Sequence, residues 1–247
     1  MTLVRWVVGD EPEVLLVHAG VADSRMWAEQ VADLSRDHRV ITVDLRGFGE
    51  TPVEAGVKYS DAQDLLDVLD ELQVETTAVV AASFGANVVL QAASHAPERF
   101  TRLVLMSPPM DGVERTDDLR AFGAEEDRLL EAGDVDGATD LNVRTWLGPE
   151  ADDEAHELLR IMQKRAFDVG LAVGDLDQEE YEVDPKVLTM PVKLFHGTHD
   201  LDYFHHCATH LAAQLPQVDH VELPWAGHLP TLERRAEGIE LVRAALS

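Results

Sequence analysis

The chain has 247 residues, 45% of them hydrophobic, with four tryptophans and seven phenylalanines, which suits one domain with a full core and room for an insertion. Its 47 acidic residues stand against 20 Lys and Arg, and a formal charge of −27 would repel nucleic acid or an anionic membrane. The single Cys207 permits no intrachain disulfide, no apolar stretch approaches the roughly 20 residues of a membrane span, and Met1–Trp6 lacks the basic-then-apolar pattern of a leader, so a cytoplasmic protein is expected. Such an acidic surface serves either solubility or life in high salt, where screening removes self-repulsion.

Leu3–Val8 and Val14–Val17 read as the first strands. The second runs into His18-Ala19-Gly20-Val21, a small, flexible turn that can aim backbone N–H groups at a developing oxyanion. Ser24–Arg36 reads as a helix and Arg39–Val43 as a strand. Gly47-Phe48-Gly49, just beyond, lacks the third glycine and the helix of a dinucleotide fingerprint and is expected to shape a loop, with Arg46 anchoring it to carboxylates. Ser60–Gln73 opens with the capping box Ser60-Asp61-Ala62-Gln63 and carries Leu65, Leu66, Leu69 and Leu72 as a helical stripe.

Thr77–Ala81 is a predicted strand that stops at Ser83, where the helix Phe84–Ser94 begins. A serine at such a corner is held on a tight turn with its hydroxyl above the sheet, and small residues must flank it. Ala81 and Gly85 do so, with alanine at the position where the G-x-S-x-G form has glycine. Taken alone, this serine could equally cap the helix. Arg102–Met106 is the next strand. Between Pro109 and Pro185 no strand is expected: Leu119–Ala132, Asp136–Trp146 and Asp153–Ala166 read as helices, and residues 111–184 hold 23 acids against seven basic residues. We read 110–184 as a helical cap inserted into a core formed by 1–109 and 185–247. It would cover the carboxyl ends of the strands, where ligands bind in open α/β sheets.

Val192–His196 leads to Gly197-Thr198-His199-Asp200, and Val218–Leu223 leads to Trp225-Ala226-Gly227-His228, with helices expected at His205–Leu215 and Leu232–Leu246. The alternation predicts a doubly wound α/β fold on a mostly parallel sheet. It also gives an order of Ser83, Asp200 and His228, each just past a strand. A serine needs a base to take its proton, and a carboxylate holds the imidazole tautomer, so these three are the candidate catalytic residues. Asp202 is a rival acid, set aside because Asp200 keeps tighter spacing to Gly197. The N–H groups of Gly20 and Phe84 are the candidate oxyanion donors, and Val21, Trp146 and Leu229 the candidate pocket residues. Phe122, Leu147, Met162 and Phe167 could line an acyl pocket or form helical core. No metal site is expected of His196, His199, His205, His206 and His210, since H-E-x-x-H is absent.

With these residues in place the chain resembles the α/β-hydrolase-fold superfamily, in its capped serine-esterase and enol-lactonase-like group. His18-Ala19-Gly20 resembles the His-Gly-x oxyanion turn with Ala for Gly, and Trp27 fits the aromatic that follows it. Asp44-Leu45-Arg46-Gly47-Phe48-Gly49-Glu50-Thr51 resembles the D-x-R-G-x-G-x-S loop with Thr for Ser. The resemblance implies a Ser-His-Asp hydrolase that needs no cofactor and acts on a small-molecule ester or lactone. Carbon–carbon hydrolysis and acyl transfer use the same triad and stay open. Ser83 argues against dehalogenases and epoxide hydrolases, which place a carboxylate at this corner. A non-catalytic binding or signalling protein on the same fold is the rival of another class. Only thirteen residues precede Val14, where the family commonly opens with a β-hairpin; an edge strand is therefore short or missing, and the free edge suits pairing between copies of the chain.

Overall fold

The computed structural model describes residues 2–174 and 176–247; Met1, part of the leader reading, lies outside them, as does Asp175 of the acidic insertion. Seven strands build one sheet: β1 (Arg5–Val8), β2 (Glu13–Val17), β3 (Arg39–Val43), β4 (Thr77–Ala82), β5 (Phe100–Met106), β6 (Val192–Gly197) and β7 (Val218–Leu223). Their spatial order is β1-β3-β2-β4-β5-β6-β7, with β1 antiparallel and every other pair parallel. The alternation of side chains explains why the central strands are apolar throughout. Leu15, Val17, Ile41, Val79 and Leu105 face one core, whereas Val14, Leu16, Val40, Val80 and Val104 face the other.

Helices cover both faces. On the first lie α2 (Asp61–Glu71) and α3 (Phe84–His95), and α7 (Asp202–Ala212) brings the buried Cys207. On the second lie α1 (Ala28–Leu34) and, past the short α8 (Pro230–Glu233), the terminal α9 (Arg235–Leu246). The Ser60 hydroxyl accepts from Gln63 N–H at 3.4 Å, the expected cap of α2. Between β5 and β6 the chain forms α4 (Asp117–Glu131), α5 (Val135–Trp146) and α6 (Asp153–Val173). Val143, Trp146, Leu159 and Met162 of this insertion join the second core, so it packs on the sheet domain through an apolar face.

Several boundaries differ from expectation, the expected helix Ser24–Arg36 among them, which is a 3-10 turn over Ser24–Trp27 followed by α1. The apolar stripe fades after Ala166 and Gly170 is a poor helix former, yet α6 runs on to Val173. The helix α7 starts at Asp202, three residues before the histidine-rich stretch suggested. The C-terminal helix is two pieces, because Arg234 leaves helical geometry (φ −128°, ψ 85°). The insertion also touches β structure once, through an isolated bridge between Tyr59 and Gln178.

The parallel strands send the ends of β2, β4, β5, β6 and β7 to one edge. Strand order reverses between β2 and β4, since β2 leads outward to β3 while β4 lies on its other side. Ligands of open α/β sheets bind at that switch point. The sheet's outer edge is β1, where Trp6, Val7 and Val8 are exposed. No helix among the described residues is long and apolar enough to cross a membrane.

Candidate active site

Ser83 joins β4 directly to α3. Its φ of 50° and ψ of −121° lie in a region that residues with a Cβ enter only under strain. The sheet holds it there, because the Ser83 N–H continues the ladder to the Met106 carbonyl at 2.8 Å. A side chain at Gly85 would stand 2.2 Å from the His18 carbonyl oxygen, so only glycine lets α3 start this close to the end of β2. Ala81, by contrast, is fully buried in register with Val17 and Leu105, and its methyl is part of the core. The Ser83 hydroxyl makes no capping bond to α3, which leaves it available at the corner.

The turn after β2 closes through Ala22 N–H on the Ala19 carbonyl at 3.0 Å. A Cβ on Gly20 would lie 3.0 Å from the Phe84 Cβ, so the turn is pressed against the first residue of α3. Phe84 belongs to the first helical turn, whose N–H groups have no intrahelical acceptor. The two candidate donors are therefore neighbours. His18 fixes their setting: its Nε2 accepts from Leu45 N–H at 2.9 Å and its Nδ1 donates to the Ala19 carbonyl at 2.8 Å. Complete burial keeps this imidazole neutral, well below its ordinary range. Asp44 tightens the same region by accepting from Ser24 and Glu50 N–H, both at 2.8 Å. The Thr51 hydroxyl donates to the Asp44 carbonyl at 2.7 Å and accepts from Val4 N–H at 2.9 Å. Thr51 thus fills the expected serine position, and the anchor foreseen for Arg46 is Asp64, held at 2.5 and 2.7 Å.

Asp200 follows β6 and His228 follows β7. Asp200 Oδ2 lies 2.6 Å from His228 Nδ1, with both side chains almost entirely buried. Asp200 Oδ1 accepts from Leu201 N–H at 2.8 Å, so both carboxylate oxygens are engaged. With Nδ1–H given to Asp200, the tautomer leaves His228 Nε2 as an acceptor. The rival Asp202 instead opens α7 and meets Asp118 through its N–H.

Glu233 was not foreseen from the sequence. It is buried in α8, and its two oxygens accept the N–H groups of Gly227 at 2.9 Å and Leu229 at 3.0 Å. These residues flank His228. Burial pushes the Glu233 carboxyl up, while the bonds from Gly227, Leu229 and Gly148 pull it down. The only sequence signal is an acid five residues after the histidine, beyond Pro230.

A cavity of about 460 Å³ opens beside this edge, lined by Gly20, Val21, Phe84, Phe122, Trp146 and Phe167 and by the polar Arg46, Asp61, Glu126 and Gln163, among others. Trp146 links it to the histidine: its ring centroid lies 4.7 Å from that of His228, and its carbonyl accepts His228 N–H at 3.2 Å. Val21 and Trp146 are among its lining residues. Leu229 is not: it is fully buried in the second core, and Glu233 holds its N–H inward. Met162 and Leu147 are likewise core, whereas Phe122 and Phe167 reach the cavity. A larger groove of about 680 Å³ runs along Trp6, Val8 and Val31, away from Gly20 and Phe84, which line the smaller cavity. Of the histidines considered for a metal, His196 bonds His220 at 2.9 Å and His205 bonds the Gly197 carbonyl at 2.9 Å.

Comparison with known proteins gives one consistent result. A family model described as alpha/beta hydrolase fold matches residues 12–139. The chain is 26% identical over 238 residues to the carboxylesterase YbfK of Bacillus subtilis, covering 91% of this chain and 77% of that one. Among solved structures it resembles a thermophilic esterase from Thermogutta terrifontis (TM-score 0.81, 24% identity, 99% of this chain and 92% of that one). It also resembles the enol-lactonase of Burkholderia xenovorans LB400 (TM-score 0.78, 21% identity, 99% of this chain and 96% of that one).

Proposed function

The chain belongs to the α/β-hydrolase fold family, and on that premise we propose that it is a serine hydrolase of small carboxylic esters or lactones. The observation that carries the reading is the buried Asp200–His228 pair at 2.6 Å, at the same sheet edge as a serine held at φ 50°. His228 Nε2 takes the Ser83 proton as the hydroxyl attacks the carbonyl carbon. The tetrahedral oxyanion sits against the N–H groups of Gly20 and Phe84. Collapse expels the alcohol, which leaves with the proton from His228 and gives the acyl-enzyme. Water, deprotonated by His228, then frees the acid and restores Ser83. Asp200 keeps the tautomer and supports the imidazolium that forms in each step.

The insertion of α4–α6 acts as the cap that selects the substrate. Its residues Phe122, Trp146 and Phe167 give the cavity an apolar wall wide enough for a short acyl or alkyl chain. The carboxylesterase name of the Bacillus subtilis relative supports an ester as substrate. Turnover of short p-nitrophenyl esters by the wild type and by Ser83→Ala tests the reading. Hydrolysis by the wild type alone is expected; equal rates would return the chain to the class of binding proteins.

A further inference from the structure

The cavity lining mixes apolar and polar side chains. Among the polar ones are Asp61 from the start of α2, Glu126 from α4 and Gln163 from α6. Asp61 is 3% exposed; its Oδ2 accepts from Gln178 Nε2 at 2.9 Å and the carboxylate also takes the Arg46 backbone N–H, but its buried Oδ1 has no side-chain donor. Gln163, at 4% exposed, likewise has an unpartnered buried Oε1. Glu126 spends one oxygen on Asn142 Nδ2 at 2.5 Å. Arg46, the cation among the lining residues, is already held by both oxygens of Asp64. Buried acceptors without donors are costly, and those that line a cavity are open to a donor brought by a ligand.

We propose that the cavity takes the part of the ester or lactone that carries a primary ammonium group, with Asp61, Glu126 and Gln163 as its acceptors. This rests on the serine-hydrolase reading above and names the substrate class for the same site. An ammonium has three donors and no acceptor, matching three acceptors from three helices. Phe122, Phe167 and Trp146, which line the same cavity, would cover the alkyl stem. The electrostatics agree. Burial first, and the neighbouring Asp64 second, push the Asp61 carboxyl up to about 7, with Glu180 adding and Arg46 opposing. Burial also raises Glu126, with Asp127 adding and the Asn142 bond opposing. Both acids gain most from a bound cation when ionised.

The test uses two matched pairs: ethyl 6-aminohexanoate against ethyl hexanoate, and 6-aminohexyl acetate against hexyl acetate. The wild type should favour the amino ester in one pair by about ten-fold or more in kcat/KM, as expected of a desolvated charge-assisted contact. That ratio should grow between pH 6 and pH 8 as Asp61 ionises while the amine stays charged. Asp61→Asn should bring it toward unity, and the wild-type pH trend gives the answer even where that variant folds poorly. Equal turnover within both pairs, or a preference for the neutral ester, would overturn the inference and leave the hydrolase reading intact. Turnover of none of the four esters would overturn both.

Discussion

The polar groups at the sheet edge that carries Ser83 and those that line the cavity are treated in opposite ways. At the sheet edge, Asp200, Glu233, Asp44 and His18 each use both of their polar side-chain atoms in bonds of 2.6–3.0 Å. In the cavity, Asp61 and Gln163 each keep a buried oxygen without a side-chain donor. A saturated network is rigid and holds catalytic atoms in place before a substrate arrives. An unsaturated one is completed only by a ligand and therefore selects it. On the reading proposed above, the difference separates chemistry from recognition.

The largest effect should come from breaking the saturated side. Ser83→Ala should lower ester turnover by about 10⁴-fold or more, and Asp200→Asn by about 10⁴-fold through the wrong imidazole tautomer, both measured as kcat with the fold checked by circular dichroism. Glu233→Gln tests the same side at one remove, as a positioning residue. Misplacing the His228 loop should cut kcat about 10–100-fold with KM nearly unchanged. A loss confined to melting temperature, with kcat intact, would mean that Glu233 only supports the fold.

The open side, whose effect on substrate preference is given above, also responds in stability. The folded-state value of Asp61, about 7, stands above its unfolded value near 4, so the neutral carboxyl is accommodated at low pH. Its contribution is full below about pH 4 and is lost as pH rises through 7. Asp61→Asn should therefore gain about 1–3 kcal/mol over the wild type at pH 8 and little at pH 4–5, read from denaturant melts. A gain independent of pH would show that Asp61 is paired after all. The smallest effect concerns the exposed acids of the insertion. Molar KCl should raise the wild-type melting temperature by a few degrees through screening while leaving the Asp61→Asn difference in place, because salt does not reach a buried carboxyl. No gain with salt would remove the high-salt reading of the composition.

What the sequence reveals of this contrast is uneven. Ser83, Asp200 and His228 are legible because each follows a strand-like run, and parallel strands bring their ends to one edge. Gly20 is legible for the same reason. Glu233 is not, since its role depends on α8 folding its side chain back under the loop of Gly227–Leu229. Asp61 looks like an ordinary acid in the first turn of a capped helix, and the insertion must fold over it before it lines a cavity. Leu229 was a candidate pocket residue, but it packs in the second core while its N–H is held by Glu233. An acidic cap disfavours polyanionic substrates only where its acids face the pocket, and of the acids in 111–184 Glu126 is the one that reaches the lining among the described residues.

The central claim is that Ser83 is an activated nucleophile served by His228. Labelling with a fluorophosphonate probe, read by peptide mass mapping, tests it most directly. The account predicts a single adduct on Ser83 in the wild type, none in Ser83→Ala and strongly slowed labelling in His228→Ala. An unmodified Ser83 in the folded wild type, or labelling at the same rate without His228, would contradict it.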